Sequence, residues 1–174
     1  MTKQFDDIYA ATAHIRDNCL CLHAQRAARA LARRFDEALR PHGITSGQFS
    51  LLNVLNRPEP HSMGPVAKFL AMDRSTLTAN LKPLERDGLV SVAIDPQDRR
   101  GRKLALTAKG RKTPRAAMKV WQSEHAALER EMGVDPEPVR AGLLSPIHIS
   151  EPTRQAGITY AVCLSQKRRC ITQP

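Results

Sequence analysis

The sequence predicts a mainly α-helical domain with one small β-hairpin, and three observations lead there. Apolar residues recur at three- and four-residue spacing through most of the first 132 residues, the period of helices that bury one face. That period gives way to alternation only around residues 89–106, where Val90, Val92 and Ile94 are followed by Leu104 and Leu106. Between the alternating runs, Asp95-Pro-Gln-Asp-Arg-Arg-Gly-Arg-Lys combines turn formers with four cations, so the hairpin tip is strongly basic.

A chain of 174 residues holds one domain with a real core plus extensions. Its net charge of +10 and pI near 10.0 favour a polyanionic partner. No run of about 18 apolar residues is present and the N-terminus has no apolar leader, so neither a membrane span nor a secretory signal is expected and the chain reads as cytoplasmic. The four cysteines form two distant groups, Cys19 with Cys21 and Cys163 with Cys170. That is neither a disulfide scaffold nor a zinc ribbon, so reduced thiols are expected.

Taken in order, Leu20, Ala24, Ala27, Ala28, Leu31, Phe35 and Leu39 mark one long amphipathic helix from about Arg16 to Leu39, ended by Pro41 and Gly43. Thr45 with Gln48 reads as a capping box for a second helix, with Phe49, Leu52 and Leu55 inward and a stop before Pro58. Ser62 caps a third, short helix with Val66, Phe69 and Leu70 as its core residues. Asp73 caps a fourth, with Leu77, Leu81 and Leu84 inward and Gly88 beyond its end. Pro83 is a helix-interior proline that should bend this element. After the hairpin, a helix from Thr107 to about Met132 buries Ala117, Val120, Trp121 and Leu128. Asp135-Pro-Glu then opens a further helix of only about ten residues before Ser145-Pro146. From Ser145 onward neither helical period nor the Ala-rich style persists, and residues 145–174 read as an atypical, non-native tail, like read-through translation appended to a truncated gene.

The outward face of the fourth helix carries Arg74, Ser75, Thr76, Thr78, Asn80 and Lys82. Short polar side chains with cations can enter a major groove, whereas a merely solvated face more often carries Glu–Lys pairs. With the basic hairpin beside it, the order of elements is that of a winged helix-turn-helix flanked by helices.

Particular residues sharpen this. Asp98-x-Arg100, followed after five residues by Leu106-Thr107, is similar to the wing signature D-x-R-x5-L-T of the multiple-antibiotic-resistance regulator (MarR) family. Gly43-Ile-Thr-Ser-Gly-Gln-Phe and the stretch from Met72 to Val90 also resemble that family, and the likeness covers roughly residues 16–144. The resemblance implies a homodimeric repressor on a pseudo-palindromic duplex operator, with residues 16–40 and 108–144 as dimerisation helices and 45–107 as the DNA-binding lobe. It makes Arg100 the minor-groove finger, with Asp98 orienting it by a charge-assisted pair, and Arg99, Arg102 and Lys103 phosphate contacts. Arg74, Ser75, Thr76 and Thr78, then Asn80 and Lys82, become base or phosphate contacts.

For signal input, Cys21 falls where the hydroperoxide-sensing branch of the family carries its reactive cysteine, but Gln25 and Phe35 stand where that branch has tyrosines. Small-residue packing is the plain alternative for Cys21. Cys19 and His23 could share an ion while Cys21 faces away, too few ligands for a closed zinc site. The ordinary family mode is a small organic effector between the first helix and the lobe, where His14, His42, Arg26 and Trp121 could serve. No cofactor, metal or membrane partner is implied. A thiol redox or metal-responsive protein, and a truncated inactive regulator, stay open as alternatives. An enzyme is not expected, since no phosphate-binding Gly loop, G-x-S-x-G or H-E-x-x-H is present.

Overall fold

A computed structural model describes residues 7–149. Cys163, Cys170 and the rest of the tail expectation from Ser150 lie outside the described residues. The chain divides into two compact units, residues 1–134 and 135–174, described in turn.

The first unit opens with α1 (Ile8–Asn18) and α2 (Leu20–Leu39). The expected single helix from Arg16 is therefore two. Cys19 takes an extended backbone (φ −78°, ψ 105°), and its Sγ accepts the N–H of Leu22 at 3.4 Å, so it ends one helix and caps the next. Of the expected apolar stripe on α2 only Phe35 and Leu39 are buried; Ala24, Ala27 and Ala28 are exposed and Leu20 is 83% exposed. A 3-10 turn at Arg40–His42 and left-handed Gly43 (φ 69°) end α2 as expected.

The capping box forms as read. Gln48 N–H donates to Thr45 Oγ1 at 3.2 Å, Thr45 N–H to Gln48 Oε1 at 2.9 Å, and α3 runs Ser46–Val54. Next come β1 (His61–Ser62), α4 (Met63–Phe69), α5 (Arg74–Arg86), β2 (Val90–Ile94), β3 (Arg102–Leu106) and α6 (Ala108–Met132). The α5 helix continues through Pro83. The hairpin belongs to a three-stranded antiparallel sheet of order β1-β3-β2, with Val90 opposite Leu106 and His61 opposite Leu104. The two-residue β1 was not expected, because His-Ser has no alternation of its own; the β3 edge creates it.

One core joins these elements, with Leu39, Leu52, Leu77, Leu84 and Leu104 fully buried at its centre and Ala117 of α6 closing it. Phe69, expected inside, is instead 62% exposed, and Ala67 takes the inward place beside Val66. Thr107 caps α6 by accepting the Gly110 N–H at 2.9 Å, and its hydroxyl donates to the Gly88 carbonyl at 2.7 Å. Gly110 lies so close to Leu89 that a Cβ would sit 1.8 Å from that carbonyl oxygen.

The second unit holds α7 (Pro136–Ile149), opened by Asp135, whose carboxylate accepts the Glu137 N–H at 3.0 Å. It is 14 residues long and passes through Ser145 and Pro146, so the expected break at Ser145 is corrected: Ile147 continues the period of Val139, Leu143 and Leu144. These four are exposed in the single chain.

Candidate nucleic-acid interface

Two features of the lobe carry the expected residues, the N-terminal half of α5 and the turn between β2 and β3. Asp73 starts α5 in the expected way, accepting the Thr76 N–H at 2.7 Å. It also accepts the Ser75 hydroxyl at 2.6 Å and the Thr76 hydroxyl at 3.1 Å. The Ser75 hydroxyl and then the Thr76 amide hold the Asp73 carboxyl below the ordinary carboxylate range. Thr78 Oγ1 donates to the Arg74 carbonyl at 2.7 Å. All six expected residues, Arg74, Ser75, Thr76, Thr78, Asn80 and Lys82, are exposed, spread around the helix outside the buried stripe of Leu77, Leu81 and Leu84. Their chemistry is uneven, however. The three hydroxyls give their protons to the helix and its cap, and the Asn80 amide donates to Met72 Sδ at 3.6 Å, so Arg74 and Lys82 are the donors best able to reach outward.

The connection from α4 into α5 is tight. Ala71 adopts a left-handed backbone (φ 51°), and the Met72 N–H returns to the Ala67 carbonyl at 2.9 Å. That reversal sets the angle at which α5 is presented.

The wing is organised by Asp95, which by sequence is only a turn former. It is the buried charged residue among those described, 7% exposed. Its carboxylate accepts the Gln97 N–H at 3.0 Å and pairs with Lys103 Nζ at 3.2 Å. Its backbone N–H donates to the Gly101 carbonyl and its carbonyl accepts the Asp98 N–H, each at 3.2 Å. The Gln97 amide, then the Lys103 ammonium, hold the Asp95 carboxyl below its ordinary range. Gly101 fits because a Cβ there would press on the Asp98 carbonyl at 3.1 Å and the Asp95 Cβ at 3.2 Å.

Asp98 meets Arg100 otherwise than expected. Its Oδ1 accepts the backbone N–H of Arg100 at 2.9 Å, so it fixes where the residue sits while the guanidinium reaches freely from the turn. Arg99 and Arg100 are exposed at the tip. Arg102 folds back, its Nη1 donating to the carbonyls of Gly101 at 3.0 Å and Arg99 at 3.3 Å. Lys103 is half-buried and donates to Ser62 Oγ at 3.0 Å besides its pair with Asp95.

Comparison with known proteins agrees with this geometry. Residues 44–101 match the model of the MarR family. The DNA complex of the transcriptional regulator MosR of M. tuberculosis superposes with a TM-score of 0.70 at 36% identity, covering 79% of this chain and 99% of that one. The chain belongs to the MarR family. Among curated members it is similar to the transcriptional activatory protein BadR of Rhodopseudomonas palustris, 34% identical over 97 residues, 54% of this chain and 55% of that protein. It is 38% identical over 95 residues to the HTH-type transcriptional regulator TtmR of Methylorubrum extorquens, 55% of this chain and 49% of that protein. The chain thus spans about half the length of the curated relatives it matches. MarR membership places it among DNA-binding regulators and not among enzymes. Among the described residues, no helix is long and apolar enough to cross a membrane.

Away from the wing, α2, α3 and α6 line an open pocket of about 300 Å³ bordered by Phe35, Leu39, Phe49, Ser50, Trp121 and His125, among others. Trp121 stacks on Phe49 with centroids 6.1 Å apart and lies 4.8 Å from His125. Trp121 was among the expected effector contacts; His14, His42 and Arg26 are not in the lining. Arg34 of α2 clamps α6 by pairing with Glu124 and, at 2.9 Å, with Glu131. Cys21 is exposed on α2. The Gln25 amide donates to its Sγ at 3.2 Å, and Gln25 Oε1 accepts from Arg29 at 3.0 Å. The position where the tyrosine is missing thus still supplies a hydrogen bond to sulfur.

Proposed function

We propose that the chain is a homodimeric, sequence-specific repressor that sets α5 of each subunit in the major groove of a pseudo-palindromic operator and Arg100 of each wing in the adjoining minor groove. The observation that carries this is the exposed cationic tip at Arg99 and Arg100, its backbone fixed by Asp98, on the same lobe as the exposed polar residues of α5. Wing arginines suit a narrow minor groove, where the negative potential is strongest. Dimerisation is supported by the exposed apolar side of α2 and by Ile8, Tyr9 and Ile15 of α1, all more than half exposed in the single chain.

Control comes through the base. The aromatic pocket between α2, α3 and α6 has the volume and lining to take a small organic effector, with Ser50 and His125 as its polar partners. A second input rests on Cys21, whose exposed sulfur accepts the Gln25 amide; oxidation there would add polar bulk to the apolar side of α2.

A gel shift against the DNA immediately upstream of the gene, with and without peroxide, tests both. Wild-type protein shifts the probe and Arg100→Ala weakens binding by roughly 1 to 3 kcal/mol with a shallower salt dependence. Equal affinity of the two proteins at two salt concentrations removes Arg100 from its role. Peroxide release that survives Cys21→Ser removes the thiol from the mechanism.

A further inference from the structure

Lys103 looks, by sequence, like one more phosphate contact. Its surroundings assign it otherwise. The ammonium lies within hydrogen-bond reach of two groups of its own chain, Asp95 Oδ2 at 3.2 Å and Ser62 Oγ at 3.0 Å. Asp95 is nearly solvent-free, and a carboxylate so placed holds its counter-charge strongly, because losing that partner leaves an uncompensated buried charge. Two of the three ammonium N–H groups are thus spent within the chain, and its charge faces a buried carboxylate of its own.

The pair stands at the head of a continuous series. Ser62 lies in β1, at the entry to α4. Lys103, opposite Ser62 in the register, joins β1 to Asp95. The Asp95 carbonyl accepts the Asp98 N–H, and Asp98 Oδ1 accepts the Arg100 N–H. The first two links join side chains and the last two fix backbone, so the series runs from the root of the helix-turn-helix to the Arg100 amide.

We propose that Lys103 is a positioning residue for DNA binding, acting through Asp95 and Asp98 to aim Arg100, and not itself a phosphate ligand. This rests on the reading of the wing as a minor-groove element. It differs from that reading in a measurable way. A phosphate ligand contributes to affinity independently and steepens the salt dependence, by about 0.9 in the slope of log K against log salt. A residue that works only by aiming Arg100 has no effect once Arg100 is gone.

The test uses the full chain and a duplex enriched by wild-type protein from a randomised library, titrated at several salt concentrations. Lys103→Met is expected to lower affinity about tenfold with the salt slope no flatter than that left by Arg100→Ala. The double variant Arg100→Ala/Lys103→Met is expected to bind as Arg100→Ala does. Multiplying losses in the double variant, or wild-type affinity in Lys103→Met, overturns the assignment while leaving the wing reading in place. Failure of wild-type protein to enrich any duplex overturns both. Should Lys103→Met not fold, as read by circular dichroism, Ser62→Ala breaks the far end of the same series and is held to the same two outcomes.

Discussion

At the residue scale, the most exacting position is Gly110. Its place one turn into α6 brings that helix against the Leu89 carbonyl at the start of the hairpin, with no room for a methyl group. Gly110→Ala should destabilise the fold by about 3 kcal/mol, read by chemical denaturation, because rigid backbone and not a flexible side chain must give way. An unchanged midpoint would mean that α6 and the hairpin part freely. Nothing in the run Thr107-Ala-Lys-Gly announces this constraint. It reads as a mediocre helix start, since close approach between segments 21 residues apart leaves no local signature.

At the scale of elements, capping was the most legible feature. Thr45 and Asp73 each do locally what their spacing indicates, because a cap is satisfied within three residues and needs no tertiary partner; Ser62, expected to cap α4, makes no cap hydrogen bond, its hydroxyl accepting from Lys103 instead. The alternation on both sides of the basic turn was legible for the same reason. What escaped depends on distant neighbours: β1 exists only against β3, and Asp95 becomes a hub only when Lys103 returns alongside it. Phe69 was misplaced because a seven-residue helix offers too few turns to distinguish its faces. The break at Cys19 was missed because the apolar period runs on across it.

The same sheet carries a pH response. The Nε2 of His61 is buried without a hydrogen-bond partner, and burial first, then the charge of Arg57, hold its pKa below the ordinary value; Lys103 acts with Arg57 and Glu59 against them. The folded chain therefore takes up this proton later than the unfolded one. Its contribution is intact above the ordinary histidine value of about 6.5 and is lost as pH falls through that value, until the folded form protonates as well. Thermal melts of wild type and His61→Gln across pH 5 to 8 should show a steeper acid-side fall for wild type. Parallel curves would count against a role for this ring.

At the scale of the whole molecule, the exposed apolar face of α1 and α2 is the feature the single chain leaves unexplained. Ile8, Tyr9, Ile15 and Leu20 are between 59% and 87% exposed, a concentration that soluble proteins cover with a partner. Size measurement should find a dimer. Replacing Ile15 and Leu20 together with Lys should give monomers with heavily reduced operator affinity, because the second half-site is reached only through the linked subunit. A monomeric wild type that still binds palindromic DNA tightly would contradict the proposed assembly.

The seam where Thr107 grips the Gly88 carbonyl and Gly110 abuts Leu89 ties the end of the groove-facing rod, the root of the basic ribbon and the head of the long supporting column at a single point. A tilt of the column should therefore swing rod and ribbon together. An inducer acting on the column would then shift the distance between the two halves of the grip without altering the shape of either, and lengthening the spacer between half-sites should mimic it.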